Sequence, residues 1–303
     1  MWLLVAVIGY VALAAVNILD KYILEKAVSK SSVFVFYSSV IVLPILILAL
    51  FGLNYPANWF DWMMTVVAGF TFALALWTMY LAFQRSEVSH VGPLNGAAVA
   101  IFVFCLSFFF LNESFSTRSL IAFGLLVLGC LLISREKSAA HHGWHSGMIL
   151  AIVSGLLYAI SHVASKYLYD IYGFASGLVW TRGALGVFGL ILLVNPAVRA
   201  AAKSMFSFKR IPGENKPRGK TAAIIINRTL AVVGVLLVQW AIALGSVTLV
   251  NALAGMQYAI IVIGMLALSK FKPNFIKEEY SRGEIWQEVA AVIVIGIGLA
   301  LLI

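Results

Sequence analysis

The sequence predicts an all-α membrane protein in which ten transmembrane helices form two inverted five-helix repeats. Its 303 residues are 62% hydrophobic and only 11% charged, whereas a soluble protein has roughly 25% charged residues. The chain also resembles itself at an offset of about 145 residues, since positions 17–24 and 162–169 each close an apolar segment and each contain a Lys-Tyr pair. A repeat unit with an odd number of spans places its second copy upside down in the bilayer, as in many membrane proteins that bind a ligand between two halves.

Ten apolar segments approach the length of about 20 residues that a helix needs to cross a bilayer. The segments of the first half cover residues 2–19, 33–53, 62–83, 91–111 and 119–134, and those of the second half cover 147–168, 175–195, 221–244, 247–269 and 285–303. Residues 1–140 are therefore predicted as the first repeat and residues 141–303 as the second. The segments lack the alternation of barrel strands, so each is predicted to be helical. The longest stretch outside them, 196–220, is predicted to be a loop.

The repeat extends beyond its first helix. An offset of 145 carries Tyr37 in span two onto Arg182 in span seven, and an offset of 159 carries Val88 near span four onto Val247 at span nine. The offset reaches about 170 at the end of the chain. Both increases fall in loops of the second half, at 196–220 and 270–284, so they are predicted to be loop insertions.

Several short motifs carry a family resemblance. They are residues 87–94 (Glu-Val-Ser-His-Val-Gly-Pro-Leu) opening span four, residues 110–113 (Phe-Leu-Asn-Glu) closing it, and the glycine-spaced stretch 124–129 of span five. With Lys21, Lys166 and Arg182, these make the whole chain resemble the drug/metabolite transporter superfamily, and in particular its ten-helix EamA-type members.

The resemblance implies two five-helix repeats, a central cavity and alternating access. It names no substrate, because the superfamily moves amino acids, sugar phosphates, nucleotide sugars, quaternary amines and drugs. One departure is visible: the second half has Ala252 and Lys272 near the places of the Pro and Glu of the first. Any bend that Pro93 gives to span four is therefore expected to be absent from span nine.

Charge and cysteine content exclude several other classes. The net charge is +9, but the basic residues lie in short loops between apolar spans, so membrane topology explains them better than nucleic acid does. Cys105 and Cys130 lie inside apolar runs and imply neither a disulfide nor a metal site. The histidine-containing loop 141–145 lacks Cys or acidic partners, so no metal or other cofactor is expected. The expected partners are the lipid bilayer and a small-molecule substrate, with a homodimer left open.

The distribution of Lys and Arg predicts the orientation. Seventeen of them lie on one side of the predicted bilayer, and only Arg118 and Lys166 lie on the other. The positive-inside rule places the crowded side, with loop 196–220, in the cytoplasm. Met1 and Ile303 would then face outside, whereas EamA-type proteins usually have both termini inside. We favour the charge count, because so large an asymmetry acts directly on insertion.

Two arginines within the apolar spans are the leading candidates for a binding site. Arg182 and Arg228 each lie about seven residues inside a span, roughly 10 Å deep at 1.5 Å per residue. A charge within hydrocarbon costs roughly 2.5–3.5 kcal/mol on insertion scales. Snorkelling towards the interface would relieve part of that cost. The functional interpretation is that a guanidinium binds a carboxylate or phosphate with two hydrogen bonds.

The paired lysines are predicted to act as gates at opposite mouths of one cavity, although a lysine at a helix end is often only an interfacial anchor. Asn17 and His162 lie one turn deeper than Lys21 and Lys166 and occupy equivalent places in the two repeats. All twelve Asp and Glu lie in loops or near span ends, which argues against a mid-membrane acid that couples transport to protons.

Polar and aromatic residues concentrate in the spans expected to surround the cavity. Membrane helices also use Asn and Gln simply to adhere to one another, but equivalent helices of both halves carry them here. The complete predicted set of substrate-binding residues is Arg182, Arg228, His162, Asn17, Trp77, Tyr80, Asn95, Gln239, Asn251, Gln257 and Tyr258.

The sequence therefore predicts a multi-pass protein of the cell membrane that is not an enzyme. It would be a secondary transporter that moves a small polar, anion-bearing metabolite by alternating access. Import or export of a zwitterionic or cationic amphipathic compound, held by the aromatic residues alone, is an alternative. A lipid-linked substrate and an integral membrane enzyme are further alternatives, although no constellation of nucleophile and base supports the enzyme.

Overall fold

The computed structural model describes residues 1–27, 31–86, 88–134, 146–206, 218–271 and 282–302. Within these ranges the chain is almost entirely α-helical and contains no β-strand. The predicted all-α class is confirmed for this part of the chain. Its α-helices, in chain order, are α1 (Trp2–Ala27), α2 (Ser31–Val40), α3 (Trp59–Phe83), α4 (Val88–Phe110), α5 (Thr117–Ile133), α6 (Ser146–Ile191), α7 (Pro196–Phe206), α8 (Arg218–Leu244), α9 (Val247–Ala252), α10 (Ala254–Phe271) and α11 (Arg282–Leu302).

Six helical stretches of the described chain are long and apolar enough to cross a membrane. One of them, Ser146–Val194, has 49 residues and breaks at Gly173, whose φ of 77° and ψ of 163° lie outside the helical region. We call residues 146–172 and 174–191 the first and second arms of α6. Shorter apolar helices cover Thr117–Ile133, Thr229–Leu244 and Trp286–Leu302. The division of the chain into ten crossings stays a prediction.

Polar side chains set several of the helix starts. The Asn58 side chain accepts a hydrogen bond from the Asp61 amide at 2.9 Å and caps α3. Ser116 caps α5, and Ser246 caps α9 by accepting from the Leu249 amide at 3.2 Å. Each cap satisfies a backbone N–H that has no partner within its own helix. Asn58 and the two serines therefore explain why these helices begin where the apolar runs begin.

The second predicted span is not one continuous α-helix. The α-helix α2 ends at Val40, and a 3₁₀ helix follows over Leu43–Phe51. Pro44 lies in the first turn of the 3₁₀ helix. Proline has no N–H to donate to a preceding carbonyl and clashes with the helix before it. Ser31–Phe51 is still long and apolar enough to cross a membrane. Its backbone, however, changes from an α-helix to a 3₁₀ helix after Val40.

The prediction that 196–220 is a loop is wrong over much of its length. Helix α7 occupies Pro196–Phe206, and α8 begins at Arg218. Proline suits the first turn of a helix because its missing N–H would be unpaired there in any case. Val198 and Ala202 on one face of α7 are buried, while Lys203 on the other face is exposed. This amphipathic pattern folds the segment against α2 rather than leaving it irregular.

Span nine is interrupted although it has no proline at the place of Pro93. Helix α9 ends at Ala252 and α10 begins at Ala254, although neither position is a proline. The Met256 amide donates to the Leu253 carbonyl at 3.0 Å, a tightened turn at the junction. The Asn251 side chain donates to the Val247 carbonyl at 2.7 Å and so competes with the backbone ladder. Helix α4, by contrast, is continuous through Pro93.

Small residues allow the helices to approach closely. Helix α3 packs along α6, α1 along α8, α4 along α6, and α5 along α11. A Cβ on Gly155 would lie 2.6 Å from the Ala98 Cβ, and one on Gly69 would lie 2.6 Å from the Ala184 Cβ. Such distances are too short for carbon atoms, so only glycine fits there. Van der Waals packing of this kind drives helix association in lipid.

The contact between α5 and α11 is reciprocal. Gly129 faces Ile295 and the Ala291 carbonyl, while Gly298 faces Leu126 and the Ala122 carbonyl. Every pair is related by the same offset of 169, from residue 122 to 291, from 126 to 295 and from 129 to 298. Two helices related by a two-fold axis make self-complementary contacts of this kind.

A second pair of contacts follows the offsets of the sequence repeat. The Ser154 hydroxyl donates to the Ala75 carbonyl at 2.8 Å, between α6 and α3. A Cβ on Gly234 would lie 3.3 Å from the Gly9 carbonyl, between α8 and α1. Offsets of 145 and 159 carry residue 9 onto 154 and residue 75 onto 234, so the two contacts are equivalent under the alignment of the halves.

Candidate functional site

Arg182 lies buried in the second arm of α6, with 5% of its surface exposed. Its Cζ atom lies 4.2 Å from the centre of the Phe72 ring of α3, a cation–π contact. No carboxylate within the described ranges forms an ion pair with it, and its Nε is buried without a hydrogen-bond acceptor. A buried charge is costly unless it is paired. Arg182 therefore has unused capacity to bind an anion.

Tyr169 and Gln239 form a hydrogen-bonded pair next to the Arg182 guanidinium. The Tyr169 hydroxyl donates to Oε1 of Gln239 at 2.8 Å and interacts with Arg182. Because the hydroxyl proton is directed to Gln239, the lone pairs of the tyrosine oxygen remain available to the guanidinium. This relay between α6 and α8 orients Arg182 without neutralising it.

His162 and Asn251 form a second polar pair beside Arg182. Nδ1 of His162 lies 2.7 Å from Oδ1 of Asn251, which joins the first arm of α6 to α9. Asn251 is 2% exposed, whereas His162 is only half-buried. The hydrogen bond thus holds an imidazole that still has accessible surface.

Aromatic rings surround these polar groups. The Phe72 and Tyr158 rings meet edge to face with centres 5.2 Å apart. The His162 ring centre lies 5.9 Å from that of Tyr158 and 6.3 Å from that of Phe72. We call Phe72, Tyr158, His162, Arg182 and Asn251 the central cluster. It combines one cation, one imidazole and apolar ring faces, which suits a small molecule that has an anionic end and an apolar body.

Two of the helices that carry the central cluster are interrupted. Gly173, which has a positive φ, separates the arms of α6 that carry His162 and Arg182. The turn at Leu253 follows directly after Asn251. Irregular backbone within membrane-spanning segments occurs where it lines a cavity or is buried in protein, and broken helices commonly form transporter binding sites.

The fold brings together four of the residues predicted for the site. Arg182, His162 and Asn251 belong to the central cluster. Gln239 is linked to it through Tyr169, which interacts with Arg182. Tyr80 and Tyr258 border the cluster, since both interact electrostatically with Tyr158. The fold therefore places these predicted residues close together, between α3, α6 and α9.

Other predicted residues lie elsewhere. Nδ2 of Asn95 donates to the Ala151 carbonyl at 2.8 Å and ties α4 to α6. Trp77 packs against the apolar cluster of α2 and α7. Gln257 is buried in α10, and Asn17 is half-buried in α1. The structure gives none of these four a contact with the central cluster.

The predicted gate residue Lys166 forms an ion pair within its own helix and a hydrogen bond to α8. Its Nζ lies 2.8 Å from the Asp170 carboxylate and 3.4 Å from the Ala243 carbonyl. The lysine side chain is 14% exposed. The side chains of Lys21 and Arg228 and the loop 141–145 lie outside the described part of the structure.

The sequence analysis missed Phe72, Tyr158 and Tyr169. Tyr158 lies four residues before His162 and therefore on the same helix face. That spacing could have singled out Tyr158, and Tyr169 follows seven residues after His162 on a similar face. Phe72 is one of 20 phenylalanines, and nothing in its local pattern distinguishes it.

Glu113, in the motif that closes span four, contacts the start of α9. Its carboxylate accepts hydrogen bonds from the Ser246 hydroxyl at 3.0 Å, the Val247 amide at 2.9 Å and the Thr248 hydroxyl at 2.8 Å. A carboxylate at a helix N-terminus satisfies free N–H groups and the helix dipole. Glu113 thereby holds α9, and with it Asn251, against the end of α4.

Part of the chain matches a known protein family. The model of the EamA-like transporter family matches residues 1–135. The resemblance to the drug/metabolite transporter superfamily is thereby confirmed. Members of this family are membrane transporters, and the apolar helices are those of an integral membrane protein.

Twenty-seven chains of solved structures match this chain. One, described as "Crystal structure of protein", has a TM-score of 0.63 and 14% sequence identity, and the alignment covers 99% of this chain and 95% of that chain. No curated protein matches the sequence.

Proposed function

We propose that the protein is a secondary transporter that carries a small, anion-bearing metabolite across the cell membrane by alternating access. The observation that carries the proposal is Arg182, a buried guanidinium with no counter-ion in the described chain and an unbonded Nε. A carboxylate or phosphate would supply the missing acceptors. Guanidinium binds such groups through two parallel hydrogen bonds, and burial strengthens them.

The central position of Arg182 favours an anion over the cationic alternative. A cation could use the Phe72 and Tyr158 faces, but the guanidinium already covers Phe72 at 4.2 Å and would repel a second positive charge. An anionic substrate removes the cost of the buried arginine, whereas a cationic one increases it.

Two sets of contacts support the inverted repeat on which alternating access would depend. The reciprocal α5–α11 contact and the equivalent pairs formed by Ser154 with Ala75 and by Gly9 with Gly234 are those that two copies of one unit would make. The family match ends at residue 135, beside the proposed boundary between the repeats at residue 140. The helices that carry His162, Arg182 and Asn251 are interrupted at Gly173 and Leu253, as broken helices are in many transporters.

A ligand screen followed by substitution tests the proposal. Purified protein is heated with amino acids, sugar phosphates, nucleotides and amines, because a ligand stabilises the state it binds. An anionic compound that raises the melting temperature of the wild type should do so much less with R182K, which keeps the charge but loses the planar fork. R228K and the double variant follow, and non-additive effects would indicate that both arginines bind one group. Stabilisation by amines alone, unchanged in R182K, would refute the anion site.

A further inference from the structure

Three side chains on one face of the first arm of α6 bind the neighbouring helices α8 and α9. His162, Lys166 and Tyr169 follow one another at spacings of four and three residues, which places them in one row along the helix. Their contacts are those of His162 with Asn251 at 2.7 Å, of Lys166 with the Ala243 carbonyl at 3.4 Å and of Tyr169 with Gln239 at 2.8 Å. We call this row of three contacts the α6 seam.

The preceding part of the first arm is held by other helices. The hydroxyls of Ser154 and Ser161 donate to carbonyls of α3, and Asn95 of α4 donates to the Ala151 carbonyl. In the described part of the chain, no hydrogen bond joins residues 146–161 to α8 or α9. The hydrogen bonds of the first arm to α8 and α9 are therefore confined to the seam.

The seam lies at the end of the first arm that adjoins the break at Gly173. Tyr169 lies four residues before Gly173, and Ala243 is next to Leu244, the last residue of α8. Carbonyls in the last turn of a helix have no partner within the helix, so the Ala243 carbonyl can accept from the Lys166 ammonium. The cation also suits the negative end of the helix dipole. The row thus runs from this end of α6 to the central cluster, to which its other end member belongs.

Tyr169 is fixed to α6 by contacts that do not involve α8. A Cβ on Gly177 would lie 2.6 Å from Cδ1 of Tyr169, so the ring packs directly against the second arm of α6. The Phe174 ring meets it edge to face, with centres 5.5 Å apart. These contacts would survive a separation of α6 from α8, whereas the hydrogen bond to Gln239 would break.

We propose that the α6 seam is the gate at the Gly173 end of the transport path, and that the hydrogen bond between Tyr169 and Gln239 is its latch. The structure has this gate closed. To open it, α8 and α9 separate from α6, and water takes the place of the three polar contacts. The contacts between α6 and α3 are kept. This inference rests on the proposed transport function and assigns the residues that close one mouth of the site.

Thiol labelling from one side of the membrane tests the gate. In a background with C105S and C130S, V163C is the reporter, because Val163 lies one turn before Lys166 on a similar face and is 7% exposed. An impermeant reagent is added to sealed vesicles on the side from which A57C is labelled. That side is the Gly173 end, since the Ala57 amide donates to a tyrosine hydroxyl of the first arm next to Gly173.

The Y169F substitution removes the hydroxyl of the latch. We expect it to raise the labelling rate of V163C about three- to tenfold, because the closed state loses one net hydrogen bond and the open state becomes more populated. S154A is the matched control, since it removes a bond of the same length, 2.8 Å, between α6 and α3. It should leave the rate unchanged. A75C, a reporter buried in that α3–α6 contact, should stay unlabelled in Y169F.

The Q239L substitution breaks the same latch from the side of α8. It should raise the labelling rate of V163C as Y169F does, and the double variant should be labelled no faster than the faster single variant, because both changes remove one bond. Effects that multiply would show that the two residues do not act through their mutual bond, and would overturn the latch.

The remaining outcomes separate the gate from the proposed function. Unchanged labelling of V163C in both single variants overturns the gate and leaves the anion site, which R182K tests separately, standing. Labelling of A75C together with V163C would show a general loosening of the fold and also overturns the gate. Wild-type Tyr169 and Gln239 with V163C labelled as fast as A57C would mean that the seam is not closed in the membrane, and the inference falls.

Discussion

Asp61 and Arg182 are two buried charges in the interface between α3 and α6, and the fold treats them differently. Asp61, 2% exposed, accepts hydrogen bonds from the Tyr167 hydroxyl at 2.9 Å and from the Tyr172 hydroxyl. Arg182, 5% exposed, has an aromatic ring and a tyrosine hydroxyl beside it but, within the described chain, no carboxylate. The difference separates a charge that stabilises the fold from one that the fold leaves available to a ligand.

The surroundings of Asp61 explain its structural role. The Tyr172 hydroxyl accepts from the Ala57 amide at 2.7 Å, and Ser176 accepts from the Asn54 amide at 3.1 Å. Trp180 donates to the Asn54 carbonyl at 2.8 Å. The loop before α3 is thus fastened to both arms of α6 around Gly173. The Asp61 carboxylate completes this network. Arg182 lies nine residues beyond Gly173 in the second arm of α6, and its Nε has no hydrogen-bond partner.

The largest expected effect is the difference in thiol labelling between the two sides of the membrane, because each position is either labelled or not. This difference shows on which side the Asp61 network lies. The charge count predicts that the Asp61 end faces outside and that position 213 is cytoplasmic. In a background with C105S and C130S, an impermeant thiol reagent added to intact cells should label A57C and leave G213C unlabelled. Labelling of G213C alone would reverse the orientation and place the Asp61 network at the cytoplasmic mouth.

Removal of the Arg182 guanidinium should abolish most of the binding without destabilising the protein. We expect R182A to weaken binding of an identified anionic substrate at least about 100-fold, since an uncompensated charge in a buried pair costs about 3–5 kcal/mol. The melting temperature without ligand should be unchanged or higher, because a buried charge without a counter-ion is removed. Binding isotherms and thermal unfolding of the same sample give both numbers. A large loss of stability at unchanged affinity would give Arg182 the role assigned to Asp61.

The opposite pattern is expected for D61A. Two hydrogen bonds to a buried charge are lost, each contributing about 1.5–3 kcal/mol, so unfolding should occur at a clearly lower temperature. The substrate Kd should change less than about threefold, because Asp61 does not touch the central cluster. Y172F, which removes one of the two donors, is a matched control and should cost roughly half as much. If D61A folds normally but loses binding, the division of roles between the two charges is wrong.

A smaller effect on stability should follow from E113Q. Glu113 resembles Asp61 in having its hydrogen bonds made by the fold, from Ser246, Val247 and Thr248. Glutamine keeps one acceptor oxygen but turns an amide group towards donors, so we expect a loss of about 1 kcal/mol. Chemical unfolding measures it. An unchanged stability together with weaker substrate binding would indicate that Glu113 acts on Asn251 rather than on the fold.

The sequence singled out part of the candidate site because a polar residue within an apolar span is visible without any structure. Arg182, His162, Gln239 and Asn251 were recognised in this way, and the fold brings all four together. The same reasoning selected Asn95, whose amide instead ties α4 to the Ala151 carbonyl. Polarity alone does not distinguish a side chain that joins two helices from one that faces a ligand, because both need a partner in lipid.

By itself, the sequence determined the class, the approximate position of the helices and the family, because hydropathy and motif order act locally along the chain. The tertiary structure decided which side chains meet. Phe72 and Arg182 lie 110 residues apart and His162 and Asn251 lie 89 residues apart, and their contacts depend on the rotation of each helix about its axis. The broken helix before Ala254 and the helix after Asn195 likewise arise from side-chain competition and packing against distant segments. A local pattern cannot encode a rotation that is set by close contact with another helix, and that rotation buries Arg182 against Phe72.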